Sequence, residues 1–495
     1  MRERYNRSLP KDLYRAEDVR AMDRYAIETV GIPGIELMRR AGVSAFVALR
    51  ERWPEARTLS AICGGGNNGG DAYVVARLAH EAGMDVRVYP VAPPNSLKGD
   101  ALTAYQGYRA AGGGVLDFIP ADFEGAEVLV DGLLGTGLDR EVSGLYAEVI
   151  KAVNRFSGHV AALDIPSGLH ADTGVALGVA IKADLTVTFI GLKQGLFTGE
   201  GPEYAGEVVF ADLGTPPEVR HSVKPSAMLL PQWERGLPSR PRYAHKGHFG
   251  HVLVVGGDHG YSGAARMAAE AAARVGAGLI SVATRRAHAD SLNLTRPELM
   301  CHGVETAEEL RILLERATVI AVGPGLGRSE WAQTLLGAAL KTDLPIVADA
   351  DALNLLAANP RKRDNWVITP HPGEAARLLN TSSAEIQKDR FTAIRRLQAQ
   401  FGGVAVLKGS GSLICGPNGL PSVCTAGNPG MASGGMGDVL TGVIAGLLAQ
   451  RIELFEAAAL GAQLHGAAGD EAAKTGERGL LASDLMDSLR RLVNL

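Results

Sequence analysis

Two groups of residues in this 495-residue chain have types and spacings suited to chemistry. In the first half, NNGGD (67–71) sets Asn67, Asn68 and Asp71 around Gly69 and Gly70, VDGLLGTGL brings Asp131, and LDIPSG brings Asp164 and Ser167. Sets of oxygen donors like these bind hard monovalent or divalent cations. Gly64, Gly66 and Gly69 also satisfy GxGxxG between a strand and a helix, where backbone N–H groups can be aimed at a pyrophosphate. The same spacing serves a glycine turn that only permits tight strand-to-helix packing. The next strand, RVYPVAPP, does not end in the acidic residue that grips a ribose, which argues against a standard nicotinamide dehydrogenase. Asp164 could equally cap the turn before Pro166, and Ser167 could be an ordinary loop hydroxyl.

In the second half, NPGMASGGMGDVLTGVIAGLL is a small-residue loop that ends in Asp438 ahead of an apolar helix. Backbone N–H groups and the helix dipole favour an anion there, and a carboxylate in that place can accept a hydroxyl proton or orient the hydroxyl toward a phosphoryl group. Simple N-terminal capping is the competing role. No GK[ST] follows, so this is not a Walker loop. Lys408 opens KGSGS (408–412), where an ammonium and backbone N–H groups could cradle phosphates, or the lysine could end a strand in solvent. His371, stiffened between Pro370 and Pro372, could contact substrate or bond within its own loop. Asp349 and Asp351 in ADADALN could hold magnesium through water, or one of them could cap the helix containing Asn354.

Positioning such loops takes strands that alternate with helices. TLSAIC, RVYPV, EVLVDGLL, HVAALDIPSG and LTVTFIG read as strands of a mostly parallel sheet in the first half. Residues 214–247 carry six prolines and no sustained period, so the linker is placed at 216–240, between domains at 1–215 and 241–495. Beyond it HVLVV, LISVAT, ATVIAVG, PIVADAD, WVITP and GVAVLKG restart the alternation, and their loops should gather on one edge of a second sheet. A chain of 51.9 kDa with 46% hydrophobic and 21% charged residues is globular and exceeds one core. A net charge of −4 and a pI near 6.3 leave no global reason to bind nucleic acid or an anionic membrane. Four cysteines without a close pair point to a reducing cytoplasm, and the charged first 24 residues lack the apolar run of a signal peptide.

The two motif groups, in this order, resemble the bifunctional NAD(P)H-hydrate repair enzymes over nearly the whole chain. NNGGD, DGLLGTG (131–137) and DIPSG (164–168) are similar to the NAD(P)HX epimerase domain; GGDHGYSGAA (256–265), GPGLG, DADALN, TPHPGE, KGSGS and GNPGMASGGMGDVLTG are similar to the ADP/ATP-dependent NAD(P)HX dehydratase domain. The resemblance implies an α/β chain with a Rossmann-like three-layer α/β/α domain followed by a ribokinase-like α/β domain. It implies as substrate a reduced nicotinamide that has gained water, with a C6 hydroxyl in R and S forms. One domain would interconvert the forms; the other would phosphorylate the S hydroxyl from ADP and eliminate phosphate, restoring NADH or NADPH.

Residue by residue, the resemblance places Asn67, Asn68, Gly69, Gly70, Asp71, Gly135, Thr136, Gly137, Leu138, Asp139, Arg140, Glu141 and Asp164 at the epimerase substrate. It makes Asn68, Asp131 and Ser167 ligands of potassium. Lys193 is a candidate proton carrier beside Asp164. Ala264, Gly325 or Leu326, and His371 would touch the hydrate in the dehydratase, whose catalytic carboxylate would be Asp438. Lys408, Gly409, Ser410, Gly411, Ser412 and Gly437 would touch the nucleotide, which brings magnesium. The expected partners are NADHX, NADPHX and ADP, in a homo-oligomer, with no nucleic acid and no membrane. A ribokinase-type kinase of a vitamin alcohol fused to a ligand-binding module is the alternative, and it leaves NNGGD unexplained.

Overall fold

The structure is a computed structural model that describes residues 9–495 except 118–122, 124 and 235. The charged first eight residues and position 235 of the expected linker therefore lie outside the described residues. The chain divides into two compact units, Met1–Met228 and Leu229–Leu495. Residues 216–240 are not bare linker: they contain the helix Pro217–His221, started by proline at a position where its missing N–H costs nothing, and a short strand, Ala227–Leu229.

The first unit holds β1 (Asp12–Tyr14), β2 (Thr58–Cys63), β3 (Asp85–Pro90), β4 (Val128–Gly132), β5 (His159–Leu163), β6 (Leu185–Phe189), β7 (Leu192–Lys193) and β8 (Glu207–Ala211), with β9 (Ala227–Leu229) at its end. Six strands form a parallel sheet in the order β3-β2-β4-β5-β6-β8. β1 pairs parallel with β7 and antiparallel with β9. Strands covered on both faces are apolar along their length, which is why β2 and β4 show no alternation. The sequence reading does not anticipate β8, an edge strand that is mostly half-buried. β3 lies on one side of β2 and β4 on the other, so the winding reverses between β2 and β4. The crevice beyond the carboxyl ends of those two strands is where ligands bind in sheets of this kind. The helix Asn67–Glu81 follows β2 and the loop 133–141 follows β4, so NNGGD and GLLGTG flank that crevice.

The second unit holds β10 (His251–Val255), β11 (Leu279–Thr284), β12 (Met300–Gly303), β13 (Val319–Val322), β14 (Ile346–Ala348), β15 (Trp366–Ile368), β16 (Val404–Leu407), β17 (Ser412–Cys415) and β18 (Ser422–Cys424). Their order is β12-β11-β10-β13-β14-β15-β16-β17-β18, parallel up to β16 and antiparallel for β17 and β18. The register pairs Val255 with Val322, Val322 with Ala348, and Ala348 with Ile368, so the loops after these strands gather on one edge, as expected. Here the winding reverses between β10 and β13. The helix Met436–Ala449 is buried almost all round and lies against the helix Ser262–Arg274. A Cβ at Gly442 would sit 2.0 Å from the Ala268 carbonyl oxygen, so only glycine allows that approach.

Candidate active sites

In the first unit the glycines are explained by packing. A Cβ on Gly64 would lie 1.9 Å from the Leu133 carbonyl oxygen, and one on Gly69 would lie 2.1 Å from that of Gly64. The loops after β2 and β4 are thus pressed together, which carries Asn68 onto the start of the second loop. Asn68, 8% exposed, donates its Nδ2 hydrogen to the Leu134 carbonyl at 2.9 Å, and its buried Oδ1 has no partner. Asp131, buried in β4, accepts the Ser167 hydroxyl at 2.6 Å, the Ser167 N–H at 2.8 Å and the Leu133 N–H at 3.1 Å. Burial pushes its carboxyl up to about 6 against those hydrogen bonds. Ser167 Oγ in turn accepts the Leu134 N–H at 2.7 Å. An orphaned buried amide oxygen costs about 1–3 kcal/mol, and a cation beside it would remove that cost. The donor set Asn68, Asp131 and Ser167 therefore fits a monovalent cation, although no group of three His, Cys, Asp or Glu is arranged around a metal among the described residues.

A charged cluster lies in the same unit. Lys193, fully buried on the two-residue β7, donates to Asp164 Oδ1, to the Phe189 carbonyl at 2.9 Å and to Thr188 Oγ1 at 3.1 Å. Asp164 adopts a left-handed φ of 62° and also accepts the Phe189 N–H at 3.2 Å. Burial, with repulsion from Asp164 and Asp23, drives the Asp71 carboxyl well above the usual carboxylate range, and Lys193 opposes this. Asp23, on the helix Ala16–Glu28, is pushed up to about 6 by burial and Asp164, again against Lys193. Of the loop after β4, Thr136 gives its carbonyl to Arg20 at 3.3 Å, Gly135 lies against the Asn68 side chain, and Gly137, Asp139, Arg140 and Glu141 are exposed.

In the second unit the loops after β10 and β13 are joined by Gly257 and Asp258 N–H groups donating to the Pro324 and Gly325 carbonyls at 3.0 and 2.6 Å. Ala264 and Gly325 meet there: a Cβ on Gly325 would be 3.2 Å from that of Ala264. Leu326 is fully buried and donates its N–H to the Gly323 carbonyl at 3.0 Å, so of the two it is the half-buried Gly325 that can meet a ligand. Lys408 Nζ donates to Asp349 Oδ1 at 2.6 Å and lies 4.0 Å from Glu374 Oε2, while Thr441 Oγ1 donates to Asp349 Oδ2 at 2.9 Å. A Cβ on Gly437 would come within 3.0 Å of Lys408 Nζ, so the Gly437 backbone lies over this pair. Asp438 is at the third position of its helix, whose cap is the left-handed Gly435 with no side-chain cap bond. Burial and Asp349 push Asp438 up to about 7 against Lys408. Burial pushes Glu374 up to about 7 as well, opposed by Lys408 and aided by Asp349. Burial opposes the charge of Lys408, yet Asp349 and Glu374 outweigh it and hold the ammonium above the ordinary lysine value.

Asp349 does not spend its carboxylate on a helix cap; Asp351 accepts the Gly327 N–H at 2.9 Å and the Asn354 amide at 3.2 Å. His371 caps the helix Pro372–Leu378 by accepting the Gly373 N–H at 3.0 Å, and burial with Lys408 and Arg377 lowers its pKa. In the 408–412 loop, Ser412 Oγ accepts the Gly409 N–H at 3.2 Å and donates to its carbonyl at 3.0 Å. The buried Arg390 donates from below to the Leu407 and Lys408 carbonyls at 3.3 and 3.4 Å. Sequence reasoning misses Asp23, Glu374, Arg390 and Thr441. Only two of them carried a signal: Glu374 lies inside HPGE, and Thr441 follows Asp438 by three residues, one helical turn away.

The family described as NAD(P)H-hydrate dehydratase matches residues 252–491, and that described as YjeF-related protein N-terminus matches 34–195. A bifunctional NAD(P)H-hydrate repair enzyme of Coxiella burnetii is 52% identical over 487 residues, covering 97% of this chain and 99% of that protein. One of Escherichia coli is 44% identical over 492 residues, covering 98% and 95%. The ADP/ATP-dependent NAD(P)H-hydrate dehydratase of Bacillus subtilis, crystallised with ATP and Mg2+, is 31% identical; the match covers 52% of this chain and 93% of that one at a TM-score of 0.46.

Proposed function

Since the chain belongs to the family of bifunctional NAD(P)H-hydrate repair enzymes, we propose that its first unit epimerises R and S NAD(P)HX and its second unit dehydrates the S form with ADP, releasing AMP and phosphate. The observation that supports the reading is that in each unit motif residues from several loops gather around one lysine paired with an aspartate, Lys193 with Asp164 and Lys408 with Asp349. Hydroxide is a poor leaving group and phosphate a good one, so phosphorylating the C6 hydroxyl is the chemically sensible route to dehydration. Asp438 takes the hydroxyl proton, and the Gly434–Gly437 amides at the helix start hold the transferring phosphoryl group. A carboxylate poised at about 7 suits that task at neutral pH.

Lys408, Gly409, Ser410, Gly411, Ser412 and Gly437 hold the nucleotide; Ala264, Gly325 and His371 hold the hydrate. Magnesium comes chiefly on the nucleotide phosphates, which it prefers to dedicated protein cages. In the first unit Asn68, Asp131 and Ser167 hold potassium, whose charge helps keep the substrate phosphate near NNGGD. The test is to incubate the purified chain with mixed-epimer NADHX, magnesium and ADP or ATP while following the reduced-nicotinamide absorbance. Full recovery from both epimers with ADP is expected. Accumulation of a stable phosphate ester without NADH would favour a plain kinase.

A further inference from the structure

The helix Ala16–Glu28 precedes every motif, yet it is fastened to the first active site. Its first N–H donates to Asp172 Oδ1 at 2.7 Å, its Arg20 guanidinium reaches the Thr136 carbonyl at 3.3 Å, and its buried Met22 lies under Gly191, two residues before Lys193. Arg20 and Asp23 are three apart and share a helix face. That face brings Asp23 into the field of Lys193, Asp164 and Asp71, with Arg24 on its own helix as the other charge it feels. Lys193 is already paired with Asp164. Two carboxyl groups, Asp71 and Asp23, are left without an ammonium of their own.

We infer that Asp23 is a proton-transfer residue of the first unit, acting as the base toward the water that adds at C6 while Asp71 acts as the acid toward the departing hydroxyl. This rests on the reading of that unit as an epimerase. The C6–O bond breaks as the ring nitrogen lone pair forms C6=N, and the departing hydroxide takes the Asp71 proton and leaves as water. A second water then attacks C6 from the other face, the C6=N pair returns to nitrogen, and the excess proton passes to Asp23. The ring gains and loses one water, and passing one proton from Asp23 back to Asp71 resets the site. Two differently buried carboxyls fit this division, because burial favours the protonated form of the deeper Asp71 while Asp23, pushed up to about 6, is mostly ionised at neutral pH.

The test is Asp23→Asn in the full chain, assayed on pure R-NADHX across pH 5–9, with wild-type turnover also run in 18O water. Loss of the base should lower epimerisation kcat by at least about 10²-fold with KM nearly unchanged. Wild-type kcat should rise with pH through about 6, where Asp23 ionises, and the variant should lack that limb. Dehydration of pure S-NADHX should be unaffected, and wild-type product should carry 18O. Retained kcat, a limb that persists in the variant, or epimerised product without label would overturn the assignment. Should Asp23→Asn unfold early, Asp23→Glu decides: partial kcat with the limb restored supports the role, and none refutes it. A wild type that does not epimerise at all is a different result, and it defeats the parent reading.

Discussion

The two candidate sites solve one electrostatic problem in two ways. Each sets a single lysine among three carboxyl groups: Lys193 with Asp23, Asp71 and Asp164, and Lys408 with Asp349, Glu374 and Asp438. In each, one aspartate takes the ammonium directly and the others are driven above the ordinary carboxylate range. Each therefore stores protons near neutrality. What differs is the helix start nearby. At Asn68 a buried amide oxygen has no partner and would suit a cation, whereas the Gly435–Asp438 turn presents helix-start N–H groups that would suit an anion. On the functions proposed above, the same charge motif would serve water chemistry at carbon in one unit and phosphoryl transfer in the other.

The largest effect separates the two sites. Asp438→Asn removes the base while epimerisation continues, so dehydration should fall about 10²- to 10⁴-fold. Given pure R hydrate with ADP and magnesium, this variant should accumulate an R and S mixture without NADH. Wild-type dehydration should climb as pH rises through about 7, since the base works only when ionised. Near-normal NADH formation by the variant would break the comparison.

Next come the lysines. Replacing either by methionine leaves a carboxylate facing a gap where its ammonium stood, and breaking a buried pair costs about 3–5 kcal/mol. Lys193 is fully buried and the Lys408 side chain is 19% exposed, so Lys193→Met should lower its unit's melting transition more than Lys408→Met lowers its own. Lys408→Met should also weaken ADP binding. Equal losses would show that burial depth is not what separates the two pairs.

A smaller effect tests the cation. Potassium at Asn68, Asp131 and Ser167 should stabilise the first unit by about 2.7 kcal/mol when present at a hundred times its dissociation constant. Unfolding in potassium compared with choline should reveal that increment, and Asp131→Asn should abolish it. An increment that survives the variant would move the ion elsewhere.

Much of this was legible in sequence because glycine and aspartate announce themselves at strand ends. KGSGS and DIPSG each follow an apolar run whose strand is buried on both faces, and GMGD opens an apolar helix. What could not be read were side chains whose role comes from tertiary approach. Asp23 sits in a charged helical stretch, RAEDVRAMDR, where any of several acids could have faced solvent. Arg390 looks like one more surface arginine of RFTAIRRLQAQF until the fold buries it under the 408–412 loop. Lys408 reads as a phosphate ligand, and only the structure reveals that its ammonium is already engaged by Asp349, 59 residues away in sequence.

The smallest effect concerns what the Asp438 carboxylate costs the fold. Burial raises its folded value from 3.8 to about 7, so the ionised form is disfavoured in the folded chain relative to the unfolded one. The sign follows: stability is fully present below about 4, and it is progressively lost as pH rises toward 7. At 1.36 kcal/mol per pKa unit the full shift corresponds to about 4 kcal/mol, and partial solvent access reduces this to about 2. Asparagine carries no charge and sacrifices no cap bond, because Asp438 makes none. Asp438→Asn should therefore melt higher than wild type at pH 8, by roughly 2 kcal/mol in the second unit's transition, and equally with it at pH 4. A variant that melts lower at pH 8 would mean that Lys408 already compensates the charge, and the second site would then hold its base at no cost to the fold.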